Sequence, residues 1–106
     1  MLPKANRLTK SDEIRAVIRD GRRSSSPLAT IHYLPGSGRV AFVTPKTIGN
    51  AVIRNRVRRR AREIVRGVTH NFSGFDLVVR LHPGSAAASF RELQDAIFQQ
   101  LERLQA

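Results

Sequence analysis

Residues 46–66 read KTIGNAVIRNRVRRRAREIVR; the periodicity of this stretch decides the architecture and its arginines decide the charge. At 100° per residue, Ile53, Ala61, Ile64, Val65 and Val68 all fall within about 80° of Val57, a stripe wide enough to seat a helix on a hydrophobic core. Arg56, Arg58, Arg59, Arg62 and Arg66 point away from that stripe, and Arg54 and Arg60 flank it. Only Glu63 opposes them. The helix therefore has one face for a core and one for anions. A guanidinium is forked, permanently charged and weakly hydrated, so it suits phosphate better than an ammonium does, and a helix holds successive forks at fixed spacing. A merely solvated face normally mixes signs, as the last helix of this chain does.

On the N-terminal side, residues 28–34 and 39–44 are rich in Ile, Val, Thr, Tyr and Phe and are joined by Pro35-Gly36-Ser37-Gly38, which predicts a hairpin. Pro45 and Gly49 close its second strand. Beyond a loop containing Gly67, Asn71 and Gly74, residues 75–81 read as another apolar strand, ended by Pro83-Gly84. A first helix is predicted over 11–19, with Ser11 as N-cap, Asp12 and Glu13 in the first turn and Gly21 as stop. A last helix opens on the capping box Ser89 and Glu92 and keeps helical spacing through Phe90, Leu93, Ile97, Leu101 and Leu104. The strand-helix-strand unit between Arg39 and Leu81 indicates an α+β or α/β sandwich, helices against a small sheet. General rules make such a crossover right-handed.

Composition narrows the partners. A chain of 106 residues with 41% hydrophobic content makes one domain, spanning 1–106. A net charge of +11 draws it to nucleic acid or an anionic membrane. The charge is regional: residues 1–23 carry a net +4 and residues 51–66 a net +6, whereas residues 67–106 carry −1. Cysteine is absent, which excludes disulfides and thiolate chemistry and fits a reducing compartment. No apolar run approaches the roughly 18 residues of a membrane span, and Pro3 with neighbouring charges interrupts any signal-peptide core. A cytoplasmic protein is expected.

Catalytic groups are not evident. His32, His70 and His82 show no metal-ligand spacing, and His70 reads as a surface loop residue. Asp12, Glu13 and Asp20 lie on or beside one short helix and Glu92, Asp95 and Glu102 on another, where capping and surface pairing explain them. Without a phosphate loop, nucleophile elbow or acidic cluster, the residues argue against a self-sufficient nuclease.

Gly49, Asn50, Ala51 and Val52, followed by Arg54-Asn55-Arg56 and then Arg58, Arg59, Arg62 and Glu63, resemble the signature of the protein subunit of bacterial ribonuclease P. Arg7-Leu8, Gly21-Arg22-Arg23 and Pro83-Gly84 extend the resemblance along nearly the whole chain. It implies an α+β fold of about four strands in a mixed sheet with three helices, a two-layer sandwich. It also implies a left-handed crossover, against the general rule, and a short strand near residues 22–26. It further implies a ribonucleoprotein that cleaves the 5′ leader from precursor tRNA, in which the RNA subunit holds Mg2+ and performs the chemistry. The protein would bind no cofactor alone. One monomeric protein per ribonuclease P RNA is the expected assembly, with no membrane partner.

Two surfaces follow from the resemblance. Lys46, Asn50, Arg54, Asn55, Arg56, Arg58, Arg59, Arg60 and Arg62 would contact the catalytic RNA. Ile14, Arg15, Ile18, His32, Ala41 and Val43 would line a groove for single-stranded leader. Strand alternation puts His32 with Thr30 on one face, toward the groove, and Ile31 with Tyr33 on the other. The chain departs from the family where aromatics are common on the first helix: Ile14 and Ile18 lack a π-face, which either weakens base contacts or shifts them to His32, Tyr33 and Arg15, and core packing is the alternative role for both isoleucines. Pro45-Lys46-Thr47 also stands where a serine and two basic residues are more usual. Two other readings compete. A ribosomal or nucleoid protein would bind nucleic acid without preference for one structured RNA, and a membrane-surface helix would leave Val57, Ala61 and Ile64 uncovered.

Overall fold

Arg7 and Leu8 begin the described part of the chain by lying against an edge strand: Arg7 bridges Val40 in parallel, and the Leu8 N–H donates to the Val40 carbonyl at 2.9 Å. In the computed structural model, residues 7–68 and 74–105 are described; His70 and Asn71 lie outside them. After Leu8 come α1 (Ser11–Asp20), β1 (Arg22–Ser25), β2 (Ala29–Pro35), β3 (Val40–Val43), α2 (Ala51–Arg66), β4 (Phe75–Leu81) and α3 (Phe90–Gln105). Short 3-10 turns cover Lys46–Ile48 and Pro83–Ala86.

Helix α1 departs from expectation at its start. Lys10 occupies the N-cap with no side-chain cap bond, and Ser11 is the first helical residue. The tie of Leu8 to Val40 sets where the chain leaves the sheet edge, one residue before the serine could cap. Its stop is a matter of space: a Cβ on Gly21 would lie 2.5 Å from the Val17 carbonyl oxygen and 2.6 Å from that of Tyr33. Helix α3 opens as predicted, the Glu92 carboxylate accepting from the Ser89 N–H at 2.9 Å and the Ser89 hydroxyl accepting from the Glu92 N–H at 3.1 Å. Phe90, counted with the core stripe of that helix, is instead its first residue and 41% exposed.

The predicted hairpin is not formed. The strand order is β1-β2-β4-β3, with β1/β2 and β2/β4 antiparallel and β4/β3 parallel. Strand β4 inserts between the two strands that sequence proximity suggested as partners. Its Leu77, Val78, Val79 and Leu81 are all 0% exposed, Val78 on one face and the other three on the opposite face, and such a buried strand belongs in the sheet interior. Residues 36–39 pass over the start of β4 and wrap its Asp76. With α2 linking the parallel pair, the unit is consistent with the left-handed crossover implied by the resemblance, and β1 is the short strand it implied.

The register aligns four rows across all strands. On one face Ala29, Ile31, Tyr33, Val40, Leu77, Val79 and Leu81 meet Val57, Ala61, Ile64 and Val65 of α2 and Leu93, Ile97, Leu101 and Leu104 of α3. This is the expected sandwich and the main core. Tyr33 and Phe75 stack within it, centroids 4.3 Å apart. The buried Gln100 of α3, absent from any apolar pattern, accepts from the Ser26 hydroxyl and donates to the carbonyls of Ser24 and Ala29 at 2.7 and 2.9 Å, satisfying the β1-β2 turn. On the other face α1 adds a partial layer, packing Val17, with Ile14 and Ile18 beside it, on Leu8, Ala41 and Val78.

Candidate nucleic-acid interface

Helix α2 is fixed before its arginines are used. Gly49 has φ +154°, a conformation that favours glycine, and delivers the chain to Asn50, whose side-chain oxygen accepts from the Ile53 N–H at 3.0 Å. Asn50, expected to contact RNA, is therefore the N-cap of the helix through its Oδ1.

The structure sorts the arginines by what already holds them. Arg56 donates to the Ala86 carbonyl at 3.1 Å and Arg60 to that of Ala88 at 3.3 Å, so both clamp the loop before α3. Arg58 donates to the Thr44 hydroxyl and, at 3.3 Å, to the Asn55 side-chain oxygen. The Nε–H groups of Arg54 and Arg56 are buried without an acceptor among the described residues. Arg59 and Arg62 carry no hydrogen bond or ion pair among the described residues, and with Asn55, Arg58 and Glu63 they line a concave strip along α2. Lys46 is exposed on the preceding turn. Val52, which the helical stripe left out, is 77% exposed at the head of this ridge.

The second surface is the part of the sheet that α1 leaves open. Register places Arg23, His32, Val78 and Ala41 in one row and Ser25, Thr30, Arg80 and Val43 in the next, both on the α1 face. The Arg39 guanidinium ties α1 over the opposite end, donating to Glu13 at 2.7 Å and Asp76 at 3.2 Å; these carboxylates hold its pKa above the ordinary value. Ile18 meets Arg23, Thr30, His32, Arg80 and His82 around a cavity of about 310 Å³. Ile14 and Ala41 instead line a smaller cleft of about 160 Å³ with Arg7, Phe42 and Arg62, at the β3 edge where α1 and α2 approach. Val43 packs between these regions. Arg15 lies on the exposed lip, about 60° of helix beyond Ile18. Tyr33, named as a substitute base contact, lies on the far face in the core and cannot reach the groove.

Arg80, Arg23 and His82 were not assigned to the groove from sequence. The signal existed: in FDLVVRL the alternation places Asp76, Val78 and Arg80 on one face, so an arginine interrupts an apolar strand on the groove side.

His32 is 6% exposed, with its Nδ1 buried and unpartnered. Burial first, then Arg23 and Arg80, hold its pKa below the ordinary 6.5, so it is neutral near pH 7. His82 Nε2 is 2.8 Å from the Thr30 hydroxyl, which in turn meets that of Ser25 at 3.1 Å. A histidine whose folded pKa is lowered destabilises the fold as pH drops, because the unfolded chain takes up the proton first. Stability is expected to fall as pH goes from 7 to about 5.5, and His32→Gln should flatten that decline. Parallel declines in urea-unfolding free energy for the two proteins would show that His32 is not held neutral.

Among the described residues no three His, Asp or Glu side chains come together as a metal-binding set, and no helix is long and apolar enough to cross a membrane.

Comparison with known proteins agrees with this geometry. Residues 2–105 match the family model described as Ribonuclease P. The chain is 35% identical over 100 residues to a ribonuclease P protein component of Clavibacter michiganensis, covering 90% of this chain and 88% of the relative. It is 41% identical over 100 residues to one of Nocardioides, covering 88% and 86%. The RNase P protein of Staphylococcus aureus superposes with a TM-score of 0.84 at 19% identity, covering 93% of this chain and 94% of that one. That of Thermotoga maritima gives 0.81 at 21% identity, covering 92% and 96%. A basic helix seated on a four-stranded mixed sheet, matched along its length by these relatives, places this chain in the ribonuclease P protein family, whose role is tRNA 5′ processing within a ribonucleoprotein endoribonuclease.

Proposed function

We propose that the chain binds the ribonuclease P RNA through the outward face of α2 and the 5′ leader of precursor tRNA through the groove beside α1, while the RNA holds Mg2+ and carries out hydrolysis. The observation that carries this reading is the ridge itself: Arg58, Arg59 and Arg62 line one strip, and Arg59 and Arg62 have no carboxylate partner among the described residues. Arg56 and Arg60 act from behind, holding the loop that shapes the ridge, and Asn50 sets the start of the helix. The groove is polar and cationic where the leader would lie. The protein adds affinity and charge neutralisation, and no acid or base.

On this reading the free protein is a cytoplasmic monomer that joins one RNA. The test is reconstitution: purified protein, a bacterial ribonuclease P RNA and labelled precursor tRNA at low magnesium. Cleavage at the mature 5′ end should depend on the protein, and protein without RNA should be inert. Cleavage by the protein alone would overturn the division of labour, and equal binding to unrelated structured RNAs would favour a general nucleic-acid binder.

A further inference from the structure

The groove beside α1 differs in chemistry from a base-stacking site. Among the described residues, Tyr33, Phe75 and Phe98 pack into the core on the far side of the sheet, and Phe42 packs against that core and lines only the separate cleft at the β3 edge, so none of them borders the cavity that holds Arg23 and Arg80. The α1 wall of this cavity presents Ile18, which has no π-face, and Ile14 lines the neighbouring cleft. His32 is too buried to offer a ring face, and half-buried His82, held in plane through Nε2 by Thr30, leaves the cavity at most one imidazole face.

What the groove does offer is positive charge. Arg23 and Arg80 are exposed, on strands either side of β2 and two residues apart in register, so their backbones are roughly 12 Å apart. No carboxylate lines the cavity they share with Ile18, His32 and Thr30. The nearest acidic groups on α1 and β4 are already engaged: Asp20 by Arg19, and Glu13 and Asp76 by Arg39. Neither Arg23 nor Arg80 forms an ion pair among the described residues, and the hydroxyl of Thr30, on the strand between them, and that of Ser25, beside Arg23 on β1, belong to the floor. Two uncompensated guanidinium groups flanking a hydroxyl-bearing floor, under an aliphatic wall, fit a chain of phosphates and riboses better than a series of bases.

We infer that this groove grips single-stranded RNA by its sugar-phosphate backbone, that Arg23 and Arg80 are the residues that hold it, and that leaders are consequently taken with little regard to base identity. The inference rests on the leader reading of the groove. It makes Arg23 and Arg80 specificity-determining residues: they select for the presence and charge of a leader.

The test uses the reconstituted holoenzyme and four precursor substrates: an ordinary leader, the same leader with abasic nucleotides, the same leader with uncharged methylphosphonate linkages, and mature tRNA without a leader. Binding of the abasic leader should stay close to that of the ordinary one. The uncharged leader should bind roughly tenfold more weakly or worse. The double variant Arg23→Met, Arg80→Met, at exposed positions where folding can be checked by thermal melting, should lose the same factor on the ordinary leader and nothing further on the uncharged one. The leader-dependent part of its salt slope should drop by about 0.7 per lost contact. If the abasic leader binds as poorly as leaderless tRNA while the uncharged leader binds normally, bases are being read and the inference fails. If leaderless tRNA binds as tightly as the ordinary precursor, the leader reading itself fails, and the inference with it.

Discussion

Replacing Arg59 and Arg62 together by alanine is expected to weaken binding of the ribonuclease P RNA by two orders of magnitude or more, with the fold unchanged. A hydrogen bond to a charged group is worth about 1.5 to 3 kcal/mol, so two lost phosphate contacts remove about 3 to 6 kcal/mol. The slope of log affinity against log salt should flatten by roughly one unit per contact. These two residues isolate binding from structure because they have no partner among the described residues. Arg56→Ala is the contrast. It releases the Ala86 carbonyl and should lower the thermal midpoint as well as the affinity. An unchanged slope and affinity in the Arg59, Arg62 double variant would put the catalytic RNA on another surface.

The largest effect on stability is expected at Asp76. It is 6% exposed, and its carboxylate accepts from the N–H groups of Ser37 and Arg39 at 3.1 Å each and from the Arg39 guanidinium at 3.2 Å. It therefore organises the turn that carries the chain over β4 and, through Arg39 and Glu13, anchors α1. Asp76→Ala removes the acceptor of two part-buried N–H donors and one of the two carboxylates on Arg39, a loss of about 2 to 4 kcal/mol, a large fraction of the stability of a domain this size. Asp76→Asn keeps an acceptor for the turn and should cost less. Denaturant unfolding checks both, and a loss below about 1 kcal/mol for the alanine variant would mean that the turn is organised without the carboxylate.

The arginine face of α2 was legible in the sequence because it is local: residues on one helix keep their angular relations wherever the helix is docked. What those arginines touch was not legible. Arg56 and Arg60 serve as clamps because α3 and the loop before it return beside α2, and only tertiary packing brings Ala86 and Ala88 there. The groove shows the same division. Alternation placed His32 and Thr30 on one face, but Arg23 joins them through the short β1-β2 hairpin and Arg80 through the β2-β4 pairing, which spans a long stretch of sequence.

By itself the sequence determined the extents of most elements, the core stripe of α2, the capping box of α3, and the regional charge that pointed to RNA. Each follows from chemistry within a few residues. Strand order was decided by the tertiary structure. The Pro35-Gly36-Ser37-Gly38 link suggested a hairpin on proximity alone, but a turn between two strands does not oblige them to pair. Strand β4, with Leu77, Val79 and Leu81 buried on one face and Val78 on the other, loses more by lying at an edge than either neighbour does, so it takes the centre. That insertion makes β3 and β4 parallel and requires the α2 crossover. It also sets Arg80 in the groove floor, leaving the open half of the sheet as a cationic surface.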